Sequence, residues 1–208
     1  MKAKKVLTIL CALLILTAVL SGCGCNKSTA ESGHELDTYV DFDNRSFAVN
    51  GKIYTLGVNT LQEMIDDGVV FDEDDIANAG NNLNKNYESS GFKIPLGEYY
   101  SAQVSVMNCS DDNMRTADCM LSRIYLPVHL DKEQNILAFA FPLDITEEEL
   151  VAQAGEPTEI SEYKSESGDR VYRNLDYKID AVSYYGSSGY HFEFVNNSLQ
   201  YITINYLP

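Results

Sequence analysis

The chain has 208 residues, of which 31 are Asp or Glu and 15 are Lys or Arg, for a formal net charge of −16 at pH 7. So acidic a composition argues against nucleic-acid binding and against an anionic ligand held by a basic patch. Neutral partners (glycans, peptides, protein surfaces) or cationic ones fit it, and solubility alone explains it equally well.

The amino terminus is organised for export. Lys2, Lys4 and Lys5 precede the apolar stretch Val6–Leu20, the n-region and h-region of a secretory signal. Fifteen helical residues rise about 22 Å, short of the roughly 30 Å hydrocarbon core, so a permanent span is not expected. Leu20-Ser21-Gly22-Cys23 follows. Small residues at 21 and 22 suit an intramembrane peptidase, and the thiol at 23 suits thioether formation. The segment matches the lipobox, and the chain resembles bacterial lipoprotein precursors. That resemblance implies cleavage before Cys23, a diacylglyceryl group on its sulfur and acylation of the new amine. The membrane then becomes a partner through those chains, at the extracytoplasmic face of the cell membrane. Two chains at about 0.8 kcal/mol per buried methylene anchor stably where one is marginal.

The signal, residues 1–22, holds three of the basic residues and none of the acids, so the remainder carries a charge of about −19. It also has length for one moderate domain or two small ones. Residues 23–45 begin Cys-Gly-Cys-Asn-Lys-Ser-Thr, small and polar with nothing periodic to bury, and read as a flexible tether. About twenty such residues reach about 25 Å. Cys11 leaves with the signal, and Cys25 lies in the tether without an evident partner. Cys109 and Cys119 flank the polar run Ser110–Asp118 as if on facing strands. Export permits a disulfide between them, and closing so short a loop contributes about 2–3 kcal/mol; two buried thiols are the alternative.

The folded part opens with a hairpin, Ser46–Val49 and Lys52–Leu56 around Asn50-Gly51, the strongest two-residue turn signal. Thr60-Leu61-Gln62-Glu63 is a capping box before the apolar stripe Leu61, Met64 and Ile65, and Gly68 supplies the stop. Residues 72–91 are rich in Asp, Asn, Ser and Gly, with a weak helix signal over Asp74–Asn82. Glu98–Cys109 and Ala117–Leu126 read as a long hairpin. Then the order repeats: a strand at Ile136–Phe141, a helix opening on the capping box Thr146-Glu147-Glu148-Glu149 with the stripe Leu150, Val151 and Ala154, and a stop at Gly155. Strands are expected at Thr158–Lys164, Arg170–Leu175, Lys178–Tyr185, Tyr190–Val195 and Leu199–Tyr206.

This order predicts an α+β fold: tandem units of a short helix packed on an antiparallel β-meander, spanning 46–130 and 131–208. Over residues 136–206, the helix ending Ala154-Gly155-Glu156-Pro157 and the Tyr-rich strands closing on Tyr201-Ile202-Thr203-Ile204 resemble units of the β-lactamase-inhibitor-like and small outer-membrane assembly lipoproteins. In those families the sheet or its loops bind another protein. The resemblance is one of element order, and no functional residue is carried over with it.

Residue chemistry points away from catalysis. His34, His129 and His191 are isolated, with no HExxH motif, CxxC pair or His-x-His spacing, so neither a metal nor another cofactor is expected. The run Asp72-Glu73-Asp74-Asp75 lacks the alternation and glycine of a calcium loop and suits a helix N-terminus. Asp41-Phe42-Asp43-Asn44 and Asp111-Asp112-Asn113 are turn chemistry. No Gly-x-Ser-x-Gly elbow occurs. A Cys–His pair using Cys109 or Cys119 with His129 is abolished if the two cysteines bridge. A carboxylate pair for an envelope hydrolase or a solute-binding accessory stays open. The remaining signal is tyrosine: eight of 14 fall between Tyr163 and Tyr206. Alternation turns Tyr190, Phe192, Phe194, Ile202, Ile204 and Tyr206 to the core and Tyr185, Tyr201, Thr203 and Asn205 outward. Outward aromatics on a sheet compose a recognition surface, although tyrosine also favours strands for its own reasons. The expectation is a non-enzymatic module binding another envelope or extracellular protein; a purely structural spacer is the third class.

Overall fold

Period-two alternation drives most of the chain into antiparallel strands. The computed structural model describes residues 36–128, 136–181 and 186–208; the signal segment with Cys23, together with Cys25, His34, His129 and Tyr185, lies outside them. Strands β1 (Ser46–Val49) and β2 (Lys52–Thr55) close over Asn50 and Gly51 at φ 52° and 80°, the two left-handed values of a type I′ turn. Helix α1 (Leu61–Asp66) opens on Thr60: its hydroxyl accepts from the Glu63 N–H (3.2 Å), and the Glu63 carboxylate accepts from the Thr60 N–H (2.8 Å). Leu61 and Met64 are fully buried, and Gly68 ends the turn at φ 79°. Helix α2 (Glu73–Ala77) is capped by the Asp72 side chain, with three acids in its first turn.

Strands β3 (Asn82–Leu83), β4 (Glu88–Pro95), β5 (Ser101–Met107), β6 (Met114–Arg115), β7 (Met120–Pro127) and β8 (Leu137–Ala138) follow. Helix α3 (Glu147–Ala154) repeats the capping box through Thr146 and Glu149 and stops at Gly155. The chain ends with β9 (Glu159–Lys164), β10 (Val171–Asp180), β11 (Ser187–Val195) and β12 (Ser198–Asn205). Seven strands form one sheet in the order β4-β5-β7-β12-β11-β10-β9; β2-β1-β8 form a second, and β3-β6 a short third. All pairings among the described strands are antiparallel.

The core lies on one face of the large sheet. Phe92, Ile94, Val104, Val106, Ile124, Leu126, Ile202, Ile204, Phe192, Phe194, Leu175 and Tyr177 join Phe47, Tyr54, Leu61, Phe141 and Leu150 in one buried cluster. Phe141 meets Phe192 edge-on at 5.2 Å. Arg173, also on the inner face, binds both Glu147 oxygens of α3 through Nε (2.9 and 2.7 Å) and Glu162 of β9 through Nη1 (2.7 Å), fastening the helix across the sheet.

Four expectations change. Strands from both halves share a single sheet, with β7 pairing β12 (Ile202↔Leu126, Ile204↔Ile124). The expected tether 23–45 is shorter at its inner end, because Tyr39, Val40 and Phe42 pack on the core. There the Tyr190 hydroxyl donates to the Asp41 carbonyl (3.0 Å), and the Arg45 guanidinium lies over Phe42 and Tyr206. Strand β4 occupies a region where no strand was expected; a bulge between Ser89 and Phe92 absorbs Gly91 at φ 102°. The strands expected at 170–175 and 178–185 are joined as β10, because Asp176 and Tyr177 continue the pairing with β11.

Candidate functional site

Alternation on β12 fixes the site. Ile202 and Ile204 are buried, so Tyr201, Thr203 and Asn205 face the other way, and Tyr201 keeps 38% of its surface exposed. Three of the four residues expected on an outer face therefore lie on one, and the fourth, Tyr185, is outside the described residues. Register extends this face across the sheet. Thr203 stands opposite Tyr125 and His191, Tyr201 opposite Glu193, Glu193 opposite Asn174, and Val195 opposite Tyr172, which faces Tyr163 of β9. None of these residues belongs to the buried cluster of the other face.

Two tyrosine pairs dominate. Tyr125 and Tyr201 stack with centroids 5.8 Å apart and 16° between planes, and Tyr163 and Tyr172 stack at 4.5 Å and 3°. Partial burial raises the Tyr125 hydroxyl above the ordinary tyrosine value, with Tyr201 and Glu193 adding to it. Tyr163 shifts the same way, from desolvation first and then from Glu193. Both stacked pairs therefore feel the same carboxylate. Beside them, Gln103, Ser105, Arg123, Tyr125 and Thr203 line an open depression of about 410 Å³.

Polar order continues around the rim. His191 Nδ1 lies 2.8 Å from Asp176 Oδ1, and Lys178 Nζ lies 3.2 Å from Asp176 Oδ2 and 3.1 Å from Glu159. Burial pulls the Lys178 ammonium down, but its bonds to Glu159 and Asp176 outweigh that and leave it above the usual lysine value. Arg123 pairs Glu88 at 3.0 Å, while Ser122 donates to the same carboxylate at 2.8 Å. Asn205 spends its amide on the Ser187 carbonyl (2.6 Å), so it braces β11 as well as facing outward. His191, read from sequence as an isolated surface residue, is in fact held by a carboxylate. Such a pair orients an imidazole, and the side chain across the register from it is Thr203.

Cys109 and Cys119 are not bridged; both are thiols. Both lie just outside the paired strands, which end at Met107 of β5 and begin at Met120 of β7. Cys119 is buried, its Sγ is 3.5 Å from the Arg115 carbonyl, and burial pushes its thiol up to about 11.

Sequence reasoning missed Tyr125, Tyr163, Tyr172, Glu193 and the Asp176–His191 pair. The signal for Tyr125 was present, since it alternates with Ile124 and Leu126. The others needed register. Among the described residues no three His, Cys, Asp or Glu side chains are grouped to hold a metal ion, and no helix is long and apolar enough to cross a membrane. No family model, curated protein or solved structure matches the chain.

Proposed function

We propose that the chain is an exported lipoprotein, held at the extracytoplasmic face of the cell membrane by acyl chains on Cys23, whose folded part binds another envelope or extracellular protein without catalysis. The observation that carries the binding reading is the outer sheet face, where two stacked tyrosine pairs lie beside Arg123, Gln103 and Thr203 on a platform whose opposite side holds the core. Tyrosine and arginine concentrate at interface centres because they combine contact area with hydrogen bonding. The anchor rests on Lys2, Lys4, Lys5, Val6–Leu20 and the lipobox ending at Cys23.

Within this reading the folded part is two helix-and-meander units, 46–130 and 131–208, joined edge to edge. Support comes from the antiparallel pairing of β7 with β12, the last strands of the two meanders, and from the Thr-x-x-Glu box that opens a helix in each half. An antiparallel seam of this kind relates the meanders by a two-fold axis perpendicular to the sheet.

Carboxylate chemistry finds less support. The depression on the outer face is lined by one cation and no acid. A second hollow, beside Asp144 and Glu149, places its acid badly: the Thr146 backbone N–H and hydroxyl hold Glu149 below the usual carboxylate range, whereas a general acid needs a raised value.

Two labels test the proposal. Cells fed labelled palmitate should incorporate it into the wild-type chain and not into Cys23→Ser; label on both would remove the anchor. Tyr125→Ala together with Tyr201→Ala should release a partner cross-linked to the wild type, and undiminished cross-linking would reject the face.

A further inference from the structure

Glu193 occupies an unusual position on the outer face. Asp176 has His191 and Lys178, Glu159 has Lys178, and Glu88 has Arg123. Glu193, half-buried towards the end of β11, has no ion pair or hydrogen bond among the described residues. Its cross-strand neighbours are Tyr201 and Asn174. Asn174 donates its amide to Ser161 (3.1 Å), leaving its buried Oδ1 without a hydrogen-bond partner among the described residues. An anion and an unused carbonyl acceptor thus sit side by side, with Tyr201 and Tyr125 on one flank and Tyr172 and Tyr163 on the other.

Each of these groups seeks the same complement. A carboxylate and an amide oxygen accept N–H donors, and phenol faces carry negative quadrupole density that attracts cations. A charge-assisted bond to a half-buried carboxylate is about twice as strong as a neutral one. The rings already meet one cation at their margin, where Arg170 lies beside Tyr172 and is held above the usual arginine value by it. The whole chain, at −16, draws positively charged partners from a distance.

We infer that the outer face receives a Lys or Arg side chain from a basic segment of another protein, its charged head on Glu193 and its stem against Tyr201 and Tyr172. The inference rests on the outer face being the binding surface and adds the chemistry of what binds there. A protein segment is the occupant because Glu193 lies on an open, multi-strand face edged by Thr203, Gln103 and Arg123, which suits an extended chain better than a single small cation.

The test titrates the full-length chain, in detergent, with a peptide of alternating lysine and alanine. Glu193→Gln should weaken peptide binding at least tenfold. Glu148→Gln, which removes the same charge from an exposed position on α3, should change it less than twofold. Tyr201→Ala should bind at least fivefold more weakly. Equal effects of Glu193→Gln and Glu148→Gln would overturn the inference, leaving only diffuse charge. Absence of peptide binding would overturn it too. If Glu193→Gln leaves the natural partner cross-linked while Tyr125→Ala with Tyr201→Ala releases it, the cation site falls and the binding face stands.

Discussion

Gly189 adopts φ 151° in the middle of β11's pairing with β10, and a Cβ there would lie 1.9 Å from the Tyr177 carbonyl oxygen. No rotamer relieves a backbone clash, so Gly189→Ala should cost about 3 kcal/mol or more, read as a lower urea midpoint; an unchanged midpoint would contradict the close approach. Protons supply a second residue-scale prediction. Burial, then Asp118, pushes the Cys119 thiol up to about 11 from 9.0, and burial pushes Tyr177 and Tyr190 up to about 12 from 10.0. Between about pH 9 and 12 the unfolded chain releases protons that the folded chain keeps. Stability is therefore complete below pH 9 and falls as pH rises, by about 1.4 kcal/mol per unit for each group. Urea midpoints should drop between pH 8 and pH 10.5; constant midpoints would contradict it. At this scale the sequence was legible where alternation sufficed: Ile202 and Ile204 point Tyr201, Thr203 and Asn205 outward. Glu193 was not, because its meaning lies in its neighbours on β10 and β12.

Helix α3 was readable almost to the residue, since Thr146, Glu149 and Gly155 are local signals with local causes. Its attachment was not. Leu150 is fully buried, and Leu150→Ala should cost about 2–5 kcal/mol, whereas Thr146→Ala should cost only about 1 kcal/mol through the lost cap. Thermal melts of the two variants would reverse this order only if α3 were held by its cap and not by its packing. Strand β10 was misread at Asp176, a residue that favours turns. It stays in the strand because His191 and Lys178 satisfy its carboxylate from the same face, partners invisible without the register. Strand β4 was missed for a related reason: Ser89, Ser90 and Gly91 carry no strand signal, and only a bulge lets the chain continue the pairing with β5. By contrast, the Asn196-Asn197 turn, at φ 49° and 67°, formed between β11 and β12 where expected.

Across the whole molecule, antiparallel strands with short capped helices were legible and the way the strands assemble was not, because edge-to-edge pairing of β7 with β12 has no local signature. One sheet and one buried cluster link both halves, so unfolding should be a single cooperative transition with equal calorimetric and van't Hoff enthalpies; two resolved transitions would contradict a shared core. The outermost strand, β9, is exposed throughout and carries Glu159, Glu162 and Lys164, charges that discourage further strand addition at that edge. On the proposed reading, contact with a partner falls on the tyrosine-bearing face and not on this edge. The most direct test of that claim places a photo-cross-linking amino acid at Thr203, and in a separate chain at Glu148 on α3, in the full-length protein within its own envelope. The account predicts discrete cross-linked species from position 203 and none from position 148. Cross-links from 148 alone, or equally from both positions, would contradict it.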